Sequence, residues 1–396
     1  MKAHWIVGLV AATGLAVLPV LSSARLAAGQ APPQTAPPAQ QPQRGAVPPA
    51  AAAPAQPRPT VTVPKLPFKV VADFFKYSPD LNFGEVLGVA VNSKGHIAVL
   101  NHPGSATSGP LYGNASTQIL EFDENGKFLR EVGKGVYGFG YGHGIRYDKY
   151  DNLWVVDKGT HAVTKLNPAG YVTMNLGRRP EGPDEPEWFN PGRQGPAPVH
   201  GDGMFRGPTD IAFGPDDSVY IADGYTNSRI AKVDKNGDWV KSWGSRGSEP
   251  GQFRLPHNIA ADRQGNVYVA DRSNRRIQVF DSNGTYLRSL VLNVVYDKTR
   301  HPTLAGLPAN PANRPDETQP WALCISNGPT QYLWAVDDEP GRLYKLQLDG
   351  KILGTFGESG RQVGQFNWPH AIACPSDNVI YVADMNNWRI QKLVAQ

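Results

Sequence analysis

Between Gly251 and Leu290 the chain reads GQFRLPHNIAADRQGNVYVADRSNRRIQVFDSNGTYLRSL, four short apolar or alternating runs set apart by turn-forming clusters. The runs are His257 to Ala261, Val267 to Ala270, Arg276 to Phe280 and Thr285 to Leu290, punctuated at Asp262 to Asn266, Arg272 to Asn274 and Asp281 to Gly284. Alternation with period two marks half-buried strands, and Gly, Asn and Asp mark the reversals, so the pattern predicts a four-stranded antiparallel meander. The same pattern recurs at a spacing of about 40 residues, as expected of propeller blades.

Six copies can be laid out. The first runs through Gly88-Val89-Ala90, Ile97 to Leu100 and Gln118 to Glu131; the second begins at His143 and ends near Leu176. The third begins at Pro208, the fourth is the stretch quoted above, and the fifth and sixth begin at Pro320 and Pro369. The sixth copy stops at Gln396 after its third strand, so its fourth must come from elsewhere. Phe68 to Phe75 (FKVVADFF) has strand composition and is expected to fill that place, which would close the ring and cover an otherwise open sheet edge. The expected fold is all-β, a six-bladed β-propeller spanning 68–396.

The segment before it reads differently. Lys2 and His4 precede the apolar run Trp5 to Leu21 and the small residues Ser22 to Gly29, the layout of a secretory signal peptide over 1–30. An uncleaved anchor is the alternative, since such a run is nearly long enough to span a bilayer. Residues 31–67, rich in Pro, Ala and Gln, are expected to form a disordered tether, because they cannot bury enough apolar surface to offset chain entropy. Export implies a secreted or periplasmic protein with no stable membrane insertion after cleavage. The formal net charge is only +4 and no basic stripe interleaves with aromatics, which argues against nucleic acid. Nothing in the pattern sets the oligomeric state. The two cysteines, Cys324 and Cys374, occupy positions of blades five and six that differ by one residue. Successive strand residues point to opposite faces, so this offset argues against a bridge.

In a four-stranded blade the lead-in to the first strand and the loop between strands two and three emerge on the same face. The long connections 102–117, 178–206 and 291–319 map to that face, where a rigid scaffold usually carries its chemistry. Aligning the blades puts Gly88, His143, Thr209, His257, Trp321 and His370 at one position just inside the first strand. Histidine therefore stands in blades two, four and six alone. Alternate blades of a six-membered ring are about 120° apart, so three such imidazoles would converge on the axis and leave coordination positions open, as in a catalytic zinc site. After the second strand an Asp recurs at Asp157, Asp223, Asp271, Asp337 and Asp384, which reads as a turn-stabilising carboxylate. The residues next to it vary from blade to blade: Lys158, Gly224-Tyr225, Arg272, Asp338 and Met385. Blade three has one extra residue there, which places Tyr225 over the channel mouth on the face of the histidines, with Arg272 beside it.

The Asn-x-Arg-Ile after the Asp turn and the GQF-x-x-P-H before the inner strand resemble the NHL repeat. The stretch PTDIAFGPDDSVYIADGYTNSRI, continued by WGSRGSEPGQFRLPHNIAADRQGNVYVADRSNRRIQVF, is similar to the lyase domain of peptidylglycine α-amidating monooxygenases. The resemblance runs from about residue 68 to 396. It implies a peptidylamidoglycolate lyase, a carbon–nitrogen lyase that cleaves peptidyl-α-hydroxyglycine, or a related hydroxy-amide, to an amide and glyoxylate. By the same resemblance zinc is held by His143, His257 and His370 and polarises the substrate hydroxyl. Tyr225 as tyrosinate removes the hydroxyl's proton, and Arg272 holds the carboxylate or orders the tyrosine. The carbonyls of Val89 and Ile145 match the family's calcium positions, but its acidic calcium ligand is replaced by Ala371, so calcium would be weak or absent. Other departures are His102 or Pro103 at the place of a second arginine, Trp368 for a methionine, and Thr226 for a cysteine.

Two readings compete with a small-peptide lyase. A non-catalytic NHL propeller binding a protein or glycan at the cell envelope would present a broad aromatic face, to which Trp188, Phe189 and Trp321 could contribute. A calcium-dependent propeller hydrolase would want clustered carboxylates where this chain has histidines.

Overall fold

The computed structural model describes residues 59–78, 80–103, 117–179, 201–300 and 310–396. The expected signal peptide, most of the tether, and Trp188 and Phe189 lie outside them. Six four-stranded antiparallel sheets follow one another, the first five built in chain order from the inner strand outward. The inner strands are Glu85–Val91, Gly142–Tyr147, Asp210–Phe213, Pro256–Ala261, Pro320–Ile325 and Pro369–Ser376. In the last sheet the outermost strand is Phe68–Val71, paired antiparallel with Arg389–Ala395 from Phe68 opposite Ala395 to Val71 opposite Lys392. The fold is thus the expected all-β six-bladed propeller, closed by its N-terminal strand.

Three expectations shift. The closing strand ends at Val71 because the chain turns at Asp73, which has positive φ, and Phe74 and Phe75 leave the sheet. They pack instead into the seam between blades six and one, with Phe75 and Phe122 ring centroids 4.8 Å apart. The tether is also shorter than residue 67. Val61 bridges to Val294, Leu66 donates its N–H to the Thr355 carbonyl at 2.8 Å, and Val63 and Leu66 fill the seams on either side of blade five. The Val-Thr-Val-Pro-Lys-Leu composition is apolar enough at alternate positions to repay this ordering.

The third correction is a disulfide, which joins Cys324 to Cys374. In blade five Leu323 faces blade four, so its neighbour Cys324 faces blade six. In blade six Ala373 faces blade one, so its neighbour Cys374 faces back to blade five. Side chains that meet across a seam must stand on opposite faces of their own strands, and a one-residue offset is what a bridge between adjacent blades requires.

The core consists of six apolar clusters, one in each seam, rather than one central body. The channel is consequently free to carry polar groups. At its upper end five inner strands bulge at the aligned position: one residue is left unpaired at Leu87, His143, His257, Trp321 and His370. Bulges re-aim a side chain out of the pleat, and here they turn it to the axis. The shared unpaired position also corrects the alignment, since the blade-one member is Leu87 and not Gly88.

Candidate active site

The repeated Asp explains how each histidine is delivered. Asp271 accepts the N–H of Arg254 at 3.0 Å, in the lead-in to His257, and is itself held by Asn274 Nδ2 at 2.7 Å and Arg276 Nε at 2.9 Å. Asp384 does the same for Asn367 N–H at 2.7 Å, with Asn387 and Arg389, ahead of His370. Asp157 accepts the N–H of Tyr141 at 2.8 Å ahead of His143, and Asp223 accepts that of Arg206 at 2.8 Å ahead of Thr209, held there by Asn227 and Arg229. The Asn and Arg of the repeated motif are therefore partners of a buried carboxylate that fixes the lead-in, the structural role expected for these aspartates.

The three histidines meet on the axis. Their ring centroids are 4.7 to 5.1 Å apart, and one ligand nitrogen from each lies within 4.8 Å of the others. Each Nδ1 is committed to a main-chain carbonyl of the following blade: His143 to Thr209 at 2.7 Å, His257 to Trp321 at 2.9 Å, His370 to Leu87 at 2.8 Å. Thr209, Trp321 and Leu87 are the aligned residues of blades three, five and one, so imidazoles and carbonyls alternate round the ring. A carbonyl only accepts, so Nδ1 carries the proton and Nε2 presents its lone pair to the axis. Burial holds His143 and His257 well below the usual imidazole range, and it takes His370 down to about 3. All three are neutral at pH 7.

Tyr225 stands over them with its hydroxyl 3.1 Å from His143 Nε2. Its loop is held through a short relay, since Tyr225 N–H donates to the Gly207 carbonyl and Gly207 N–H donates to His161 Nδ1 at 2.8 Å. Gly207 has φ +72°, and a Cβ there would come 2.8 Å from the Tyr225 Cβ, so both the conformation and the space require glycine. Arg272 lies with its guanidinium carbon 3.8 Å from the Trp321 ring centroid, next to the buried acids Asp338 and Glu339. Burial raises the Asp338 carboxyl well above the usual range, with Glu339 adding to it, and takes Glu339 up to about 7. Trp321 is 3% exposed, which removes it from any open aromatic face.

The NHL repeat family matches residues 205–233 and 253–280, the segments that hold Tyr225, His257 and Arg272. The chain carries NHL repeats. This NHL propeller is 29% identical over 337 residues to peptidyl-glycine alpha-amidating monooxygenase A of Xenopus laevis, covering 77% of the chain and 31% of the relative. It is 26% identical over 339 residues to a probable peptidyl-alpha-hydroxyglycine alpha-amidating lyase of Caenorhabditis elegans, covering 80% and 84%. The chain thus spans about a third of the monooxygenase but most of the stand-alone lyase. Among solved structures, a gluconolactonase from Xanthomonas campestris superposes with TM-score 0.52 at 12% identity, over 86% of the chain and 99% of the other, which shows the fold alone.

The residues present fit zinc. His257 Nε2 is buried without a hydrogen-bond partner, and three neutral imidazoles with fixed tautomers suit that ion. They do not fit calcium. Val89 and Ile145 occupy the register place that Leu323 holds in blade five, and at that level the cation is the Arg146 guanidinium. Its Nη2 reaches the Leu323 carbonyl at 3.0 Å, Asn258 Oδ1 at 3.2 Å and Asp210 Oδ2 at 2.6 Å, and its Nε reaches Asp210 Oδ1 at 3.2 Å. Position 371, where an acidic ligand would stand, is Ala371, so a calcium ion there would have the carbonyls of Val89 and Ile145 without that carboxylate, beside the positive charge of Arg146.

Lys158, Tyr141 and Glu339 join the site without having been marked for a role by the sequence. The available signal was the position after the strand-end Asp, where Lys158 stands in register with Arg272.

Proposed function

We propose that the chain is a zinc-assisted lyase that cleaves the C–N bond of peptidyl-α-hydroxyglycine, or a related hydroxy-amide, to an amide and glyoxylate. The observation that carries this reading is the Tyr225 hydroxyl 3.1 Å from Nε2 of His143, one of three neutral, axis-directed imidazoles. The relatives named as lyases and amidating monooxygenases support it. His143, His257 and His370 would hold the ion, and bound zinc supplies the Lewis acidity that makes a coordinated hydroxyl easier to ionise.

The chain's own residues do the rest. Tyr225, as phenolate, takes the proton of the substrate's α-hydroxyl. As the resulting oxyanion closes to the aldehyde of glyoxylate, the C–N bond breaks and its electron pair stays on the amide nitrogen. That nitrogen takes the proton back from Tyr225, so no water and no oxidant is consumed. Arg272, its guanidinium carbon 3.8 Å from the Trp321 ring centroid, keeps a positive charge on the wall beside His257. The disulfide fits an exported chain, secreted or periplasmic, and no helix among the described residues is long and apolar enough to cross a membrane.

Purified protein is expected to carry about one zinc per chain, to lose it in His257→Ala, and to release glyoxylate from an α-hydroxyglycine peptide. Tyr225→Phe should lower kcat by at least about a hundredfold at unchanged zinc content and melting temperature. Folded, zinc-loaded protein that releases no glyoxylate above background would refute the lyase reading.

A further inference from the structure

Lys158 is a cation at the mouth that has no carboxylate partner among the described residues. It stands directly after Asp157 at the end of the second strand of blade two and is anchored there by its main-chain N–H, which donates to the Tyr141 carbonyl at 3.1 Å. Its ammonium sits between two phenol rings, 4.0 Å from the Tyr141 centroid and 4.8 Å from that of Tyr225. Aromatic faces hold a cation without cancelling its charge. Among the described residues no carboxylate pairs with it. Arg272, the other cation of the mouth, is placed differently, its guanidinium carbon 3.8 Å from the Trp321 ring centroid rather than against the Tyr225 ring.

A substrate that ends in α-hydroxyglycine brings a carboxylate on the carbon that bears the reacting hydroxyl. With that hydroxyl between Tyr225 and the imidazoles, the carboxylate needs a nearby cation with donors to spare. Lys158 lies against the same Tyr225 ring and has three N–H donors without an acceptor among the described residues. We infer that Lys158 is the residue that binds the substrate carboxylate and makes the site specific for acids over their neutral derivatives. This rests on the lyase reading for the identity of the substrate.

The first test needs no turnover: calorimetric binding of glyoxylate, a carboxylate probe, to the zinc-loaded protein. Lys158→Gln should weaken it about ten- to a hundredfold, the worth of one charge-assisted hydrogen bond, and Lys158→Met, which keeps the stem between the rings, should do the same. The second compares kcat/KM for an α-hydroxyglycine peptide and its methyl ester. The wild type should prefer the acid by a similar factor, and the preference should collapse in both variants while turnover of the ester stays within about threefold; a packing defect would lower both substrates alike. Glyoxylate affinity within twofold of wild type in a folded Lys158→Gln or Lys158→Met protein overturns the assignment, as does an acid preference that survives the change. Wild-type protein that binds glyoxylate through Lys158 but cleaves neither substrate would leave the carboxylate site standing and remove the lyase reading.

Discussion

At the scale of single residues, position counts for more than kind. His161 lies outside the axial cluster, yet its Nδ1 holds Gly207, and Gly207 holds Tyr225. It can accept that N–H only while neutral. Burial, helped by Arg206, lowers its pKa from 6.5 to about 4. Below pH 6.5 the unfolded chain takes up a proton that the folded chain refuses, so this contribution is complete above 6.5 and fades as the pH falls towards 4. Urea unfolding at pH 7 and pH 5 should show His161→Gln losing about 1–2 kcal/mol less stability across that interval than the wild type. Equal losses would show that His161 is protonated alike in both states. The axial histidines were legible because a repeat puts equivalent residues in one column, and three histidines in alternate rows stand out. Lys158 and Glu339 were not, because what distinguishes them is the neighbours they meet from other blades. The blade-one member is Leu87 rather than Gly88, a register that the pairing of its strand settles, since Leu87 is left unpaired as His143 is.

At the scale of elements, strands were legible as alternation and turns as Gly, Asn and Asp clusters, while seam packing was not. Phe74 and Phe75 look like a continuation of the closing strand, and only the turn at Asp73 sends them into the gap between blades six and one. The disulfide is hidden for a related reason, since a strand considered alone does not show which side of it faces the neighbouring blade. The closing strand itself can be tested by truncation. A chain beginning at Pro57 should melt like the full protein, because the compact unit starts there. A chain beginning at Lys76 loses four paired residues, the straps at Val61 and Leu66, and the Phe74–Phe75 plug, and should melt at least about 5 °C lower. Matching melting curves would mean that the ring closes without them.

At the scale of the whole molecule, six separate seams leave the axis to be held by polar contacts. Arg146 supplies these, reaching from blade two to Asp210 of blade three, Asn258 of blade four and the Leu323 carbonyl of blade five. Asp210 is 2% exposed, so Arg146→Met would strand a buried carboxylate and is expected to cost about 3 kcal/mol, read as a lower melting temperature. Calcium, or its removal by chelation, should leave the wild-type melting temperature where it is; a rise with calcium would contradict the guanidinium clasp. The alternation of imidazole and carbonyl above it has a different consequence. Each imidazole-bearing blade leans on a carbonyl-bearing one, and two kinds of neighbour can alternate without a fault only round an even circle. A seventh blade would force two of one kind side by side, either orphaning an imidazole proton or leaving a carbonyl unused. The triad therefore fixes the parity of the repeat count, and rings that keep it can gain or lose blades only in pairs.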